Sequence, residues 1–382
     1  MDLLRYIASK KETWEEDPLN KIDVLGYVWL SYFDFRPVQE RFPLAWDAFK
    51  NDPFFDNLEK RHETFVPKSC ATLFRNMIAS PRYQKTVMVD YQHIIDSDQD
   101  VQFGALALSA GGKTIVIFEG TDLSFVGWKE DCIMSYSDSV PSYPLAEAFI
   151  KRTLEKTEGP VILAGHSKGG NIAAYCLATL EDDSRIESVY SFEGPGFHSD
   201  NVFSAHPERM EKLHKYIPYS SVVGVLLCNE TNVSIVKSGS VGVLQHNTFK
   251  WRIQGNDFEY ANKRSLSSLY IDKAVNGWLK CLDEDERKRF IEITFNTLNK
   301  TKVKDFKGLA KTLFKEIPTM RQAYKEMGDN DKTFFASAIK SLFSSAGKAF
   351  VDVAKEAPKS RTKLRAKNDK KALPSKPPKV GA

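Results

Sequence analysis

The residues most able to do chemistry stand together at Gly165-His166-Ser167-Lys168-Gly169, a G-x-S-x-G run followed by a further glycine, Gly170. Four apolar residues, Val161 to Ala164, precede it and suit a short buried strand. An Ala-rich apolar stretch, Asn171 to Leu180, follows and suits a helix. Strand, tight glycine-flanked turn and helix form the setting of a nucleophile elbow, in which a strained turn lifts a serine hydroxyl clear of the sheet edge. The first amides of the following helix then point at an oxygen that gains negative charge. The chemistry such a turn supports is acyl transfer through a serine ester, and it needs no metal or organic cofactor.

Ser167 would require a base, an acid that orients it, and oxyanion donors. Elbow hydrolases take these in the chain order serine, acid, histidine. Beyond the elbow stand His198, His206, His214 and His246. His246 ends Gly242-Val243-Leu244-Gln245, a strand-like run from which a late loop could return to the elbow, and it is the preferred base. His198 follows Glu193 closely and is the alternative; His206 and His214 fall in a charged stretch read as surface helix. For the acid, Glu193 closes the strand-like Ser188–Phe192 just before Gly194-Pro195-Gly196-Phe197, which puts it on the same rim as Ser167. Glu230 and Asp257 are the alternatives. The oxyanion donors would be the amide of Lys168 and the amide and hydroxyl of Thr121, in Phe118-Glu119-Gly120-Thr121-Asp122. Trp128 reads as packing and Asp131 as a brace for this loop.

Elements that could position these residues follow from the patterning. Residues 1–85 read as mostly helical, with an apolar and aromatic Asp23–Phe35 and a helix over Lys68–Ala79 stopped at Ser80-Pro81. Gln102–Ser109 and Thr114–Glu119 read as strands joined at Gly111-Gly112. A helix over Tyr143–Lys156 and a strand over Ile186–Glu193 flank the elbow. Tyr216–Ile217, Val222–Cys228, Val233–Val236 and Gly242–Gln245 have strand character, and Phe249–Ile253 could pair with Phe258. Alternation of strands and helices implies an α/β layered sheet, and the early hairpin implies a mixed one. After Leu266 the pattern is helical. Glu284–Asn299, Phe306–Phe314 and Lys332–Lys355 carry apolar stripes at helical spacing (Phe290, Ile293, Leu298; Phe334, Ile339, Leu342, Phe343, Phe350), for which a core-facing role is the first expectation. The implied division is a body over 1–270, a helical region over 271–355 and a basic tail over 356–382.

Charge is uneven along the 382 residues. Residues 355–382 hold ten Lys/Arg against two Asp/Glu, a net of +8, so with a chain total of +4 the remainder carries −4. The tail, Pro-rich and Lys-rich, reads as disordered and could make peripheral contact with a membrane; no specific nucleic-acid partner is indicated. No stretch of about 18 apolar residues occurs, and no secretory leader is read at the N-terminus. The five cysteines are scattered, with no metal-ligand spacing, and Cys132, Cys176 and Cys228 sit among apolar residues. A cytoplasmic location is the expectation.

Phe-Glu-Gly-Thr-Asp (118–122) followed by Gly127-Trp128-Lys129-Glu130-Asp131 and then Gly-His-Ser-Lys-Gly-Gly-Asn resembles the class 3 lipase branch of α/β-hydrolases. More closely, the chain resembles a bacterial lipase-like family of unknown function called Mbeg-like. That family shows Gly-Pro-Gly-Phe (here 194–197), a segment like Ser221-Val222-Val223-Gly224-Val225-Leu226-Leu227, and Gln245-His246 followed by Trp251. The match spans roughly residues 20–265. The resemblance implies an α/β-hydrolase fold with a mixed central sheet flanked by helices, and hydrolysis of a carboxylic ester, either a small molecule or an acyl-lipid. Two departures stand out. Glu119 occupies the place where lipases usually carry Arg, and Ser220-Ser221 occupies the place where class 3 lipases carry their acid. They motivate a second reading, a hydrolase-fold binding or scaffold protein with weak or no activity.

Overall fold

A computed structural model describes residues 1–61, 64, 66–227 and 233–356. Eight strands form one sheet in chain order: β1 (Leu44–Ala45), β2 (Val87–Asp96), β3 (Val101–Ala110), β4 (Lys113–Phe118), β5 (Val161–His166), β6 (Ile186–Phe192), β7 (Leu213–Pro218) and β8 (Val233–Val236). The first four pair antiparallel; from β4 onward every pairing is parallel. The β3–β4 hairpin turns at Gly111 and Gly112, both at positive φ. A separate two-stranded ribbon joins β9 (Ile253–Gln254) to β10 (Asp257–Phe258).

The central strands alternate between two hydrophobic layers, as a sheet covered on both faces requires. Leu106, Leu108, Ile115, Ile117, Ile162 and Ala164 face one layer. There they meet α1 (Leu3–Ser9), α2 (Lys21–Val28), α3 (Trp46–Phe49) and α4 (Pro67–Ala79), together with Phe249 and Trp251. Phe103, Ala105, Ala107, Val116, Phe118, Val161 and Leu163 face the other layer. It is completed from α6 (Ser142–Lys156) and α7 (Lys168–Thr179), while α5 (Phe125–Ile133) precedes them in the β4–β5 crossover. The arrangement is that of an α/β-hydrolase, with the loops after the parallel strands gathered along one sheet edge.

The C-terminal region is helical: α8 (Leu266–Leu279), α9 (Glu284–Asn299), α10 (Phe306–Glu326) and α11 (Asp329–Glu356). It is tied to the body by backbone and by core. Phe125 packs with Ile291, Phe295, Leu298 and Leu309, the Phe125 amide donates to the Lys304 carbonyl (3.0 Å), and the Phe306 amide donates to the Leu123 carbonyl (3.0 Å).

Several local expectations are corrected. Gly242–His246 is a 3-10 helix rather than a strand, with Gly242 at φ 53°, a left-handed value that ends an extended run. Residues 222–227 form turns, with Leu227 at φ 65°. His214 lies on β7, not on a surface helix. The sequence reading assigns no element to β2, whose burial shows no clean alternation and whose register is irregular between Met88 and Asp90. The core-facing role fails for Phe343 and Phe350, which are 73% and 69% exposed. Phe314 of α10 is likewise exposed. Cys228, Glu230 and the tail beyond Glu356 lie outside the described residues. Among the described residues Cys70 and Cys176 are buried and Cys132 is partly buried. No helix there is long and apolar enough to cross a membrane.

Candidate active site

Strand β5 enters the turn as a wholly buried run and α7 starts one residue after Ser167. Ser167 takes φ 58° and ψ −126°, a conformation that costs a non-glycine residue on the order of 1–3 kcal/mol. Surrounding packing imposes it. A β-carbon on Gly165 would fall on the backbone of Gly169 and Gly170, and one on Gly169 would fall on the Phe118 carbonyl. Both glycines are therefore required by the close approach of α7 to β4 and β5. Ser167 is 8% exposed, and its amide donates to the Phe192 carbonyl (3.0 Å).

Glu193 occupies the equivalent position on the next strand. His166 pairs with Phe192 in the sheet register, so Ser167 and Glu193 each stand one residue past that pair, and Glu193 too has a left-handed backbone, φ 53°. Its amide donates to the Tyr216 carbonyl (2.7 Å). Its side chain is fully buried, and Oε1 accepts from the Ser221 hydroxyl (3.0 Å) and the Val222 amide (3.1 Å). Oε2 is left facing Nδ1 of His246 at 3.3 Å. The Ser220-Ser221 segment thus supplies a donor to Glu193 rather than an acid.

His246 stands at the end of the 3-10 helix, its side chain 30% exposed. Four polar links hold the surrounding backbone. Gln245 accepts from the Ser220 amide (2.8 Å) and donates to the Ser240 carbonyl (2.9 Å). Trp251 Nε1 donates to the Gln245 carbonyl (2.8 Å), and Trp29 Nε1 donates to the Thr248 hydroxyl (2.8 Å). A fifth link comes from the elbow: His166 Nε2 lies 2.9 Å from the His246 carbonyl oxygen. Because a carbonyl only accepts, Nε2 carries the proton, and Nδ1 accepts from the Tyr32 hydroxyl at 3.1 Å. Burial, with the nearby His246 ring, pushes the His166 imidazole well below its ordinary pKa, so it stays neutral in this role. Trp29 covers it, with ring centroids 5.1 Å apart.

Lys168 directly follows the serine, and Thr121 stands in the loop that follows β4. Lys168 is the first residue of α7, and its side chain is buried. Nζ donates to the Gln102 carbonyl, to Gln102 Oε1 (2.5 Å) and to Glu130 Oε2 (2.9 Å). Burial would lower this ammonium's pKa, but Glu130 and Asp131 outweigh it and hold it above its usual range. The Thr121 hydroxyl donates to Asp131 Oδ2 (2.5 Å), so this hydroxyl is already engaged. Burial raises the Asp131 carboxyl to about 7, against the opposing pull of Lys168 and the Thr121 hydrogen bond. Trp128 is 40% exposed and packs edge-on against Phe306, ring centroids 5.1 Å apart.

The alternative residues are placed elsewhere. His198 bridges the Ser135 carbonyl (3.2 Å) and Glu284 (2.9 Å) at the start of α9. Asp257 is engaged by Lys21 (2.8 Å) and the Tyr260 hydroxyl. His206 contacts exposed Glu208. Reading the sequence did not identify Tyr32, Trp29 or Gln102 as supports, because each acts across a long chain separation, and it gave Gln245 only as part of the Gln245-His246 motif, with no role. In place of the lipase arginine, Glu119 is buried with His93 Nε2 at 3.6 Å. Among the described residues no group of His, Cys, Asp and Glu is arranged to hold a metal ion.

No curated protein matches the chain. A crystal structure of a mutant form of MDLA from Penicillium cyclopium is similar at a TM-score of 0.36 and 8% identity, over 63% of this chain and 87% of that one. The family model that matches does so over residues 77–296, a span that begins in α4 and contains Thr121, Ser167, Glu193 and His246, and it is the model of the Mbeg1-like family, to which this chain belongs.

Proposed function

We propose that the protein is a serine hydrolase that cleaves a carboxylic ester through an acyl-enzyme on Ser167. Ser167 Oγ attacks the acyl carbon while His246 takes its proton through Nε2. Glu193 accepts the hydrogen bond from His246 Nδ1, which fixes the tautomer and stabilises the imidazolium that forms. The carbonyl oxygen, now an oxyanion, is held by the amides of Lys168 and Thr121. Collapse of the adduct breaks the ester C–O bond, and His246 returns the proton to the departing alcohol. Water then attacks the acyl carbon while giving a proton to His246; the bond from that carbon to Ser167 Oγ breaks, the acid leaves, and His246 returns the proton to Oγ.

The observation that carries this reading is the division of labour at Glu193. One carboxylate oxygen is occupied by Ser221 and Val222, and the other faces His246 at 3.3 Å. A distance of this size suits a substrate-free site, where such bonds are often long and tighten in the reacting complex. The basic tail and the exposed rim at His246 make an acyl-lipid the substrate class to try first, after simple acyl esters.

Labelling of wild type and S167A with a fluorophosphonate, read by intact mass, tests the reading. One adduct on wild type and none on S167A is expected. A folded wild type that takes no adduct would overturn it in favour of a binding or scaffold role.

A further inference from the structure

The helix α11 presents two contrasting faces. Ala338, Ser345, Ala349 and Val353 are buried at helical spacing, and small side chains there let α11 lie close to α8. The Ser345 hydroxyl donates to the Ala274 carbonyl (2.8 Å), and Trp278 Nε1 donates to the Ala338 carbonyl (3.0 Å). The opposite face carries Phe343 and Phe350, two turns apart, with Val351 beside them, 73%, 69% and 53% exposed. The helix is pinned, so these rings are held outward rather than loosely placed.

Charge on and beyond this face identifies what would cover it. Lys340, Lys348 and Lys355 line one edge of the Phe ridge, with Asp352 3.1 Å from Lys355, and Glu356 engaged by Lys273 (2.6 Å). The chain then runs directly into the segment whose net charge, over 355–382, is +8. Two copies of this face set together would bring two such segments into repulsion, which disfavours self-association. Nucleic acid would meet the cations but leave the protruding phenylalanines without an apolar partner. An anionic bilayer satisfies both, because rings enter the acyl boundary, lysine stems lie along it with their ammonium groups at the headgroups, and the following cations gain from the surface potential.

We infer that the Phe343–Phe350 face of α11, edged by Lys340, Lys348 and Lys355, docks the protein on an anionic membrane surface. This holds independently of the chemistry at Ser167, and the two signals, apolar insertion and charge, act together.

The test uses the full chain carrying S167A, so that docking is read without turnover and a failure of the hydrolase reading leaves the result intact. Vesicles of phosphatidylcholine alone, or with phosphatidylglycerol at about 7:3, are sedimented with the protein at about 0.1 M salt. Sedimentation with the anionic vesicles only, and release at high salt, is expected. The combined Phe343→Ser, Phe350→Ser and Val351→Ser variant changes exposed positions, so its thermal melt should match the parent while its partitioning falls at least about tenfold. No sedimentation with anionic vesicles would overturn the inference. So would a triple variant that partitions like the parent, which would leave the charge acting alone, or a concentration-dependent dimer that the same substitutions abolish.

Discussion

Glu193 and His246 meet at 3.3 Å although they come from different kinds of structure, a left-handed residue at the end of a sheet strand and the last residue of a 3-10 helix. The strand end is rigid because the sheet is rigid. The helix end is rigid because Gln245, Trp251, Trp29 and His166 hold the backbone around it. What the pair does then depends on neither partner alone.

Glu193→Gln keeps the volume and can still accept from Ser221 and Val222, but it removes the charge that favours an imidazolium. Turnover should fall about 10³- to 10⁴-fold with KM little changed. Steady-state kinetics on a reactive acyl ester measure this, with Asp257→Asn as the control that should behave like wild type. Wild-type turnover in Glu193→Gln would remove Glu193 from the mechanism.

His166 should act through position, since its Nε2 proton holds the His246 carbonyl. His166→Leu is expected to lower kcat by about 10- to 100-fold without a comparable change in KM, the scale of a misplacement of about 1 Å. His166→Gln can place an amide N–H near the same point and should recover part of the loss. Equal losses in both variants, matched by equal losses of stability, would mean that His166 only fills space. Tyr32→Phe removes the donor to Nδ1 and should act in the same direction, more weakly.

Gly165→Ala tests the elbow as architecture. Its methyl group would meet the backbone of Gly169 and Gly170, which no rotamer can relieve. A loss of about 3 kcal/mol or more is expected, at the upper end for an overpacked site. Urea midpoints compare it with Gly112→Ala, a left-handed position where added atoms meet open space and the cost should be only that of the backbone conformation. A Gly165→Ala protein as stable as wild type would refute the packing argument.

Asp131 offers a pH test. Burial raises its carboxyl from 3.8 to about 7, so between those values the folded state keeps a proton that the unfolded state has lost. Its contribution to stability is therefore present at low pH, declines as pH rises from about 4 to about 7, and is constant above. Asp131→Asn retains an oxygen for the Thr121 hydroxyl but cannot ionise. The variant should gain on wild type as pH rises from about 4 to about 7, by at most about 1.4 kcal/mol for each pH step of one. Thermal or urea midpoints of both proteins across that range provide the measurement, and a constant difference between them would contradict the raised carboxyl.

Much of the site's local structure was legible in the sequence because its cause is local. Gly165 and Gly169 flank Ser167 since β5 must turn into α7 with no room for a side chain, and the short apolar run before them suits a buried strand. The Gly111-Gly112 hairpin is equally local. By contrast, that Glu193 rather than Asp257 faces His246 depends on the register of β5 with β6 and on Ser221 and Val222 turning one carboxylate oxygen away. That His198 joins Glu284 depends on where α9 packs. The same holds for the apolar stripe of α11, where helical spacing puts Phe343 and Phe350 on one face but not which face meets α8. Small residues won that contact because a close helix pair buries more of both backbones than bulky rings would allow. Sequence by itself determines the conformations that neighbouring residues impose on one another; tertiary structure alone decides which distant side chains share a buried space, because that choice is made by packing between elements the chain brings together only once folded.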